Sequence, residues 1–460
     1  MKNYSLVGLV CLALTACQSE SSESEKSNEQ QASVRLMTLD PGHFHAGLVQ
    51  KFMYDAVDPV VHVYAPEGPD VQDHLKRIAG YNERADDPTR WEEVVYTGPD
   101  YLQKMLTEKP GNVMVVAGKN SQKTKYIKAA VDAGINVLAD KPMVIKPDDF
   151  ELLKAAFASA EEHGVLLYDI MTERYEITTI MQKELSRIAG VFGSQEMGTP
   201  EAPAITKESV HHFFKYVSGS PLQRPGWFFD IDEQGEAVVD VSTHLVDLVF
   251  WECFPEQTLD YKEDIEVISA RRWSTELTPS QFTRVTGLEA YPDYLQKDII
   301  KDSILNVFSN GEIIFKVNGV HAKVSVIWNY EAPEGAKDTH YSIMRGTTAN
   351  LVIRQGAEQN YLPTLYVEPV GETPANFEST LTQALKQQLA EKHPGLDLKA
   401  SENGWEVIIP EEYKVGHEAH FTQVMKKFLE YLEKGGLPEW EVPNMIAKYY
   451  VTTEGYKLSR

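Results

Sequence analysis

The sequence predicts an α/β domain with a doubly wound parallel sheet, followed by an α+β domain with a large, mostly antiparallel sheet. Three observations support this fold class. Short apolar, β-branched runs alternate with helical segments between residues 33 and 170, as in parallel sheets covered by helices. Longer stretches of alternating polarity follow between residues 265 and 370, as in antiparallel strands with one exposed face. A chain of 460 residues is also long enough for two separate cores.

Six strands and four helices are predicted in the first region. The strands are expected at Val34–Thr38, Val60–Tyr64, Glu93–Tyr96, Val113–Val116, Ile135–Leu138 and Val165–Tyr168. The helices are expected at Asp70–Ile78, Tyr101–Glu108, Lys123–Ala133 and Pro147–Glu162. Gly134 directly follows the third helix and is suited to end it. We therefore assign residues 33–170 to a Rossmann-type domain, the kind of fold that binds dinucleotides.

The remaining residues, 171–460, are assigned to the second domain. Its helices are expected at Ile177–Ile188, Ala237–Glu252, Phe377–Glu391 and Glu418–Glu433. Asn310-Gly311 separates the apolar runs Ile304–Phe308 and Glu312–Val317, which predicts a tight hairpin turn between two strands. This domain is expected to bind the substrate.

The first 32 residues are expected to lie outside the fold. Residues 4–14 form an apolar run that is too short to span a membrane. This run ends in Leu14-Thr15-Ala16-Cys17, which resembles a bacterial lipobox and predicts lipidation of Cys17 after removal of a signal peptide (residues 1–17). Residues 18–32 are rich in serine and glutamate, as in a flexible tether. The prediction is an exported protein, lipid-anchored to the bacterial cell envelope and facing the periplasm or the surface; a plain secretory signal is the alternative.

Charge and cysteine content exclude several classes of function. The chain has 44 Lys and Arg against 68 Asp and Glu, a net charge of −24, which argues against binding to nucleic acid or to an anionic membrane surface. Cys11 leaves with the signal and Cys17 carries lipid, so only Cys253 remains in the body. An intramolecular disulfide and a cysteine-based metal site are therefore excluded there.

The turn after the first strand, Leu39–Gly47, is predicted to bind the phosphates of a dinucleotide. Gly42 allows the backbone N–H groups to approach the phosphates closely, and His43, Phe44 and His45 follow within the same turn. The usual G-x-G-x-x-G spacing is absent, so this motif alone is weak.

The pair His43-x-His45 has an alternative role as metal ligands, like the H-x-H that opens the metal site of barrel-type amidohydrolases. That site needs further histidine and aspartate ligands at later strand ends. Those ends carry no histidine in this sequence. The sequence therefore favours a cofactor or substrate role for the two imidazoles, and no metal site is predicted.

Other strand ends supply further candidate cofactor ligands. Glu67 lies about 20–25 residues beyond the turn, where an acidic residue commonly binds the adenosine ribose. No arginine follows directly to hold a 2′-phosphate, which favours NAD over NADP; a solvated loop glutamate is the alternative. Gly118 leaves room at the end of the fourth strand, and Asn120 is suited to bind ribose or carboxamide, or else to cap the following helix.

Lys141, Asp240 and His244 are the candidate catalytic residues. Lys141 follows the fifth strand, at the sheet edge where α/β proteins bind ligands. Asp240 and His244 stand one helical turn apart in an apolar segment, whereas Asp70 and His74 share that spacing in a polar helix and are read as a surface pair. A cation, a base and an orienting acid can together remove a proton from a hydroxyl whose carbon gives up hydride.

Further candidates for substrate contact surround the Asp240 segment. His211, His212, Arg224 and Trp227 offer polar and aromatic groups suited to a sugar ring. Asp247 is expected either to line the same pocket or to pair internally, because its helix is largely buried. A purely structural role in the core is equally compatible with the upstream residues.

With these residues identified, the chain resembles the Gfo/Idh/MocA family of nicotinamide-dependent oxidoreductases. The resemblance covers residues 33–260 and rests on residues 113–120, on residues 129–142 with Asp140 replacing the glutamate of a Glu-Lys-Pro motif, and on Asp-x-x-x-His-x-x-Asp at residues 240–247. It implies that Lys141 positions the reacting hydroxyl, that His244 is the general acid/base with Asp240 as its partner, and that Asp140 lies in the cofactor site. It also implies substrate and subunit contacts through the later sheet, and hence a homo-oligomer.

The sequence thus predicts an NAD-dependent oxidoreductase acting on a sugar, cyclitol or glycoside. Export complicates this prediction, because free NAD is a cytoplasmic pool. A redox-neutral glycosidase that retains its cofactor through oxidation, elimination and reduction is the first alternative. A carbohydrate-binding lipoprotein without a cofactor is the second.

Overall fold

The computed structural model describes residues 33–217 and 220–460. The predicted signal peptide, Cys17 and the tether therefore lie outside the described residues. Within the described ranges, no helix combines the length and the apolar character needed to cross a membrane.

The first domain contains a six-stranded parallel sheet in the order β3-β2-β1-β4-β5-β6. Its strands are β1 (Leu36–Leu39), β2 (Val60–Ala65), β3 (Glu92–Thr97), β4 (Val113–Val116), β5 (Asn136–Asp140) and β6 (Leu167–Ile170). Its helices are α1 (His45–Val49), α2 (Pro69–Glu83), α3 (Tyr101–Glu108), α4 (Lys123–Asp132) and α5 (Phe150–His163). β1, β4 and β6 are buried along their whole length, because helices cover both faces of the sheet. The predicted doubly wound α/β fold is confirmed, and the strand order reverses between β1 and β4, where such sheets open a ligand crevice.

The second domain is built on a ten-stranded sheet in the order β10-β12-β13-β7-β14-β15-β16-β18-β17, with β11 paired to β12. The strands of this large sheet are β7 (Ile205–Phe214), β10 (Ile265–Leu277), β11 (Ile299–Ile300), β12 (Ile304–Val317), β13 (Val320–Glu331), β14 (Thr339–Arg345), β15 (Ala349–Arg354), β16 (Thr364–Pro369), β17 (Asp397–Ser401) and β18 (Gly404–Ile408). Two short strands, β8 (Tyr216–Val217) and β9 (Ser220–Pro221), pair with each other in a separate sheet. The helices of this domain are α6 (Ile177–Ser186), α7 (Ala189–Phe192), α8 (Ile231–Gln234), α9 (Ser242–Cys253), α10 (Pro279–Thr286), α11 (Phe377–Gln383), α12 (His417–Lys434) and α13 (Glu441–Leu458). Neighbouring strands of the large sheet run antiparallel except β13 and β7, so the predicted mostly antiparallel sheet is confirmed.

The hairpin predicted at Asn310-Gly311 is wrong, because both residues lie inside the continuous strand β12. Asn310 uses its side chain to bond the Trp273 carbonyl at 3.1 Å and the Trp328 amide at 2.7 Å, beside an irregularity in the β10–β12 pairing. Gly311 is required because a side chain there would clash with Val238. The turn lies instead at Asn318-Gly319, where both residues have positive φ, as type I′ hairpins demand.

The last two helices return to the first domain. Phe421 and Phe428 of α12 join the core of the parallel sheet, where the Phe428 ring stacks on Tyr168 of β6 at 6.2 Å. Along α13, Tyr449 packs in the first core and Val451 in the second. The C-terminal helices therefore fix the two sheets against each other and close the region around the ends of β5 and β6.

Candidate active site

Lys141 and Asp240 form a buried ion pair between the two domains. Lys141 follows β5, and its Nζ donates to Asp240 Oδ1 at 2.6 Å, with only 10% and 8% of the two side chains exposed. The other carboxylate oxygen of Asp240 accepts from Gln234 Nε2 at 2.9 Å. Burial alone would lower the pKa of Lys141, but the carboxylates of Asp240 and Asp140 raise it, so the amine remains an ammonium.

His244 lies in the first turn of α9, close to that pair. Its Nδ1 is buried and has no hydrogen-bond partner among the described residues. Burial, reinforced by the positive charge of Lys141, lowers the pKa of His244 well below its usual value. The imidazole is therefore neutral at physiological pH and has a nitrogen able to accept a proton.

The turn after β1 brings both of its histidines to the end of β5. His45 Nδ1 lies 3.1 Å from Asp140 Oδ1 and 3.0 Å from Oδ2, and His43 Nδ1 lies 3.7 Å from Asp140 Oδ2. The two imidazole rings pack edge to face at 4.0 Å, and Phe44 contacts both of them. Burial lowers the pKa of His43 and of His45 well below the usual value, so both rings are neutral.

The turn after β1 lies in close contact with the loop after β4. Asp40 adopts a φ of 46°, in the left-handed region that usually requires glycine. Gly118 must lack a side chain, because a Cβ there would clash with the Asp40 carbonyl and lie 2.9 Å from the Gly42 amide. The turn after β1 and the loop after β4 therefore lie in close contact at the point where the strand order of the sheet reverses.

The groups around Gly42 fit the phosphates of a dinucleotide. Trp227 of the second domain lies 3.3 Å from where a Gly42 Cβ would be, and its Nε1 donates to Asp70 at 3.2 Å. Lys119 Nζ lies 3.9 Å from the same carboxylate. An indole N–H and an ammonium are thus already directed at an anionic group beside the turn, and both can donate to phosphate. Burial raises the pKa of Asp70 from its ordinary value.

The remaining predicted cofactor residues occupy different environments. Glu67 is exposed directly after β2. Asn120 is buried, and its side chain donates to the Gln234 carbonyl at 2.6 Å and accepts from Lys123 Nζ at 2.6 Å. Asn120 therefore ties the loop after β4 to the second domain, and its side chain does not cap α4.

The predicted substrate residues of β7 surround Asp338 and Trp328. His212 Nδ1 lies 2.9 Å from Asp338 Oδ1, and His211 stacks on Trp328 at 4.8 Å. Arg224 donates to the main-chain carbonyls of residues 212 and 213 and covers the Trp328 ring at 4.9 Å. A small cavity lies alongside Trp328 and Asp240, and its walls include Phe213, Phe228 and Gln234. These groups border the Asp240 side of the site, whereas Trp227 faces the turn of the first domain.

Asp247 was predicted either to line the pocket or to pair internally. It pairs internally and does not face this cavity. Arg174 donates to both of its oxygens, at 2.7 and 2.8 Å, and Lys448 donates at 2.9 Å. These cations lower the pKa of Asp247 against the opposing effect of burial. With its oxygens already satisfied, the carboxylate is not free to bind a substrate.

Two residues of the site were missed by the sequence analysis. Lys123 is fully buried and donates to Asn120 Oδ1 and, at 3.0 Å, to the Asp140 carbonyl. Gln234 holds Asp240. Neither lies in a motif: Lys123 begins an ordinary amphipathic helix, and the partners of Gln234 come together only when the domains pack.

Comparison with known proteins identifies the family. Residues 56–168 match the family model described as "Oxidoreductase family, NAD-binding Rossmann fold", and residues 181–460 match "Putative oxidoreductase C terminal domain". A crystal structure described as a "putative oxidoreductase" from Parabacteroides merdae is 57% identical, with a TM-score of 0.91 over 93% of this chain and 98% of that chain. The chain belongs to the Gfo/Idh/MocA oxidoreductase family.

More distant members of this oxidoreductase fold align along most of the chain. A structure described as a "putative oxidoreductase" from Thermotoga maritima is 14% identical, with a TM-score of 0.57 over 93% of this chain and 97% of that chain. Levoglucosan dehydrogenase, solved with NADH and levoglucosan, is 12% identical, with a TM-score of 0.56 over 92% and 98%. At this identity the likeness establishes the fold alone. No curated protein sequence matches the chain.

Replacing Arg174 by alanine is expected to lower the free energy of unfolding of this oxidoreductase by about 3–5 kcal/mol, because Asp247 and Glu441 lose a buried partner. Arg284→Ala is the matched control, since Arg284 makes a two-pronged pair with Glu331 whose side chains are 46% and 37% exposed. The control should change stability by about 1 kcal/mol or less. Urea denaturation measures the free energy of unfolding of both variants. Equal losses would show that the buried ion pairs of Arg174 contribute no more to stability than an exposed pair, and would contradict the prediction.

Proposed function

We propose that the protein is an NAD-dependent oxidoreductase that removes hydride from a hydroxyl-bearing carbon of a sugar, cyclitol or glycoside. The observation that carries this proposal is the grouping of the Lys141 ammonium, the Asp240 carboxylate and the neutral His244 imidazole. They lie at the carboxyl end of β5, next to the turn after β1, where Trp227 Nε1 and Lys119 Nζ are donors suited to a dinucleotide. Membership of an NAD-binding family supports the same reaction class.

Each of the three groups has a distinct role in this reaction. The Lys141 ammonium has three N–H donors, of which Asp240 accepts one, so others can bind the hydroxyl oxygen and stabilise its developing negative charge. The neutral His244 imidazole accepts the hydroxyl proton. Asp240 fixes the position of Lys141 and keeps it charged. A bound nicotinamide supplies the hydride acceptor.

The substrate class is inferred from the surroundings of Asp240. Phe213, Phe228 and Trp328 line the small cavity beside Asp240, together with the polar groups of Gln234 and Asp240. Aromatic faces with a few fixed hydrogen-bonding groups suit a polar ring with apolar C–H edges. Solved structures of similar fold include levoglucosan dehydrogenase with NADH and a 3-ketoreductase from Actinomadura kijaniata with NADP. The exposed Glu67, without an adjacent arginine, favours NAD in this chain.

A redox-neutral glycosidase is the second candidate, and the predicted export signal at residues 1–17 favours it. Oxidation of a ring hydroxyl acidifies the neighbouring C–H, and elimination then releases the glycosidic group and leaves an unsaturated ketone. Addition of solvent water to the double bond, followed by return of the hydride to the ketone, restores the sugar. Such a cycle needs no external NAD pool, because the cofactor is regenerated in each turnover. We accordingly propose a lipid-anchored enzyme of the cell envelope, acting as a homo-oligomer.

Release of nicotinamide from the denatured protein tests both enzymatic proposals. The purified full-length chain is denatured, and the supernatant is assayed for NAD and NADP. We expect retained NAD, or binding of added NAD by the intact protein. Glycoside cleavage without net reduction would select the glycosidase cycle over net oxidation. If the protein neither contains nor binds a nicotinamide, both enzymatic proposals fail and a carbohydrate-binding lipoprotein becomes the hypothesis to test.

Lys141→Ala and His244→Ala are each expected to lower kcat by about 10²–10⁴-fold, because each removes a group that handles the reacting proton or its charge. Lys146→Ala, which changes an exposed lysine five residues further along the chain, should leave kcat unchanged. Steady-state kinetics measures the effect, and circular dichroism confirms that each variant is folded. Full activity in either site variant would remove that residue from the mechanism.

A further inference from the structure

The side chains of His43, His45 and Asp140 converge on one point at the carboxyl end of β5. One ligand atom from each lies within 4.8 Å of the other two. We propose that these three residues bind a single divalent transition-metal ion of the zinc type. This site goes beyond the proposed oxidoreductase function, which requires no metal.

The spacing of the three ligand atoms supports this assignment. In a tetrahedral zinc site with bonds of about 2.0–2.2 Å, neighbouring ligand atoms lie about 3.4 Å apart. Asp140 Oδ2 lies 3.0 Å from His45 Nδ1 and 3.7 Å from His43 Nδ1, on either side of that value. The ligand atoms of the two histidines lie within 4.8 Å of each other, and His43 Nδ1 accepts the His45 backbone N–H at 3.4 Å. Binding of an ion would draw the imidazoles together and release that long hydrogen bond.

The donor set is of the kind that divalent transition metals prefer. Two imidazoles and one carboxylate are typical of catalytic zinc sites and of other sites that keep open coordination positions. The ligands are also held in place, since Asp140 ends β5 and the two histidines share one short turn, with their rings 4.0 Å apart. Little chain entropy is then lost on binding.

The Asp140 carboxylate is bonded by the His45 imidazole at 3.0 and 3.1 Å, and no lysine or arginine among the described residues pairs with it. It is 4% exposed, and among the described residues the charged or chargeable side chains within 4.0 Å of it are the two histidines. Lys123 donates to the Asp140 main-chain carbonyl, and Lys141 is paired with Asp240. A buried carboxylate facing two imidazoles is stabilised by a cation.

The neighbouring ammonium groups of Lys123 and Lys141 oppose a cation at this point. We therefore expect weaker binding than at a structural zinc site, with a coordination position left for water or a substrate oxygen. An ion there could polarise a substrate oxygen next to Lys141.

Zinc content of the purified, tag-free full-length protein tests the site. The protein is stripped with a chelator, equilibrated with Zn²⁺, freed of excess metal and analysed by mass spectrometry. We expect about one zinc ion per chain, and a fall of at least about tenfold in Asp140→Asn and in the double variant His43→Gln/His45→Gln. His321→Gln removes a histidine of the second domain and should leave the zinc content unchanged.

Two results would overturn the metal site: no stoichiometric zinc in the wild type, or equal zinc in Asp140→Asn and the control. Urea denaturation of each variant shows whether it is folded, and isothermal titration with Zn²⁺ of the variants that fold gives the loss of affinity directly. Neither readout needs turnover or nicotinamide. A failed metal site and a failed oxidoreductase proposal are therefore distinguishable.

Discussion

The ion pair between Lys141 and Asp240 is the contact on which the proposed site depends. It joins the end of a strand in the first domain to the start of a helix in the second, and both side chains are nearly buried. Burying two charges is costly, and removal of one partner leaves the other without compensation. The domains can therefore separate only by exposing or orphaning these charges. The same contact keeps Lys141 charged and places it close to His244.

Ion pairs hold helix α9 against the parallel sheet at two points. These contacts fix the position of His244 relative to Lys141. Asp240, just before the helix, pairs with Lys141 after β5. One turn beyond His244, Asp247 pairs with Arg174, which follows β6, and with Lys448 of α13. Lys448 also contacts Asp169 within β6 at 2.7 Å. His244 lies between these two anchors, so its position is set by contacts that do not involve the reaction itself.

Much of the architecture could be predicted from the sequence, because the central strands β1, β4 and β5 of the first domain are almost fully buried and consist mainly of apolar residues. The predicted hairpin at Asn310-Gly311 is wrong because the Asn-Gly dipeptide also occurs inside strands, where a glycine permits close packing. Here Gly311 packs against Val238, a contact that the sequence does not reveal. Lys141, Asp240 and His244 were recognisable by their motifs. The contact between Asp140 and His45 spans 95 residues of sequence, and the partners of Asp247 lie 73 and 201 residues away. Such pairings depend on domain packing and leave no local pattern.

A double-mutant cycle on Lys141 and Asp240 tests most directly whether this pair unites the domains. The free energy of unfolding is measured for the wild type, Lys141→Ala, Asp240→Ala and the double variant by urea denaturation. We predict a coupling energy of about 1–3 kcal/mol, with the double variant more stable than the sum of the single losses implies. Additive losses, with coupling below about 0.5 kcal/mol, would show that the two charges act independently and would contradict this account.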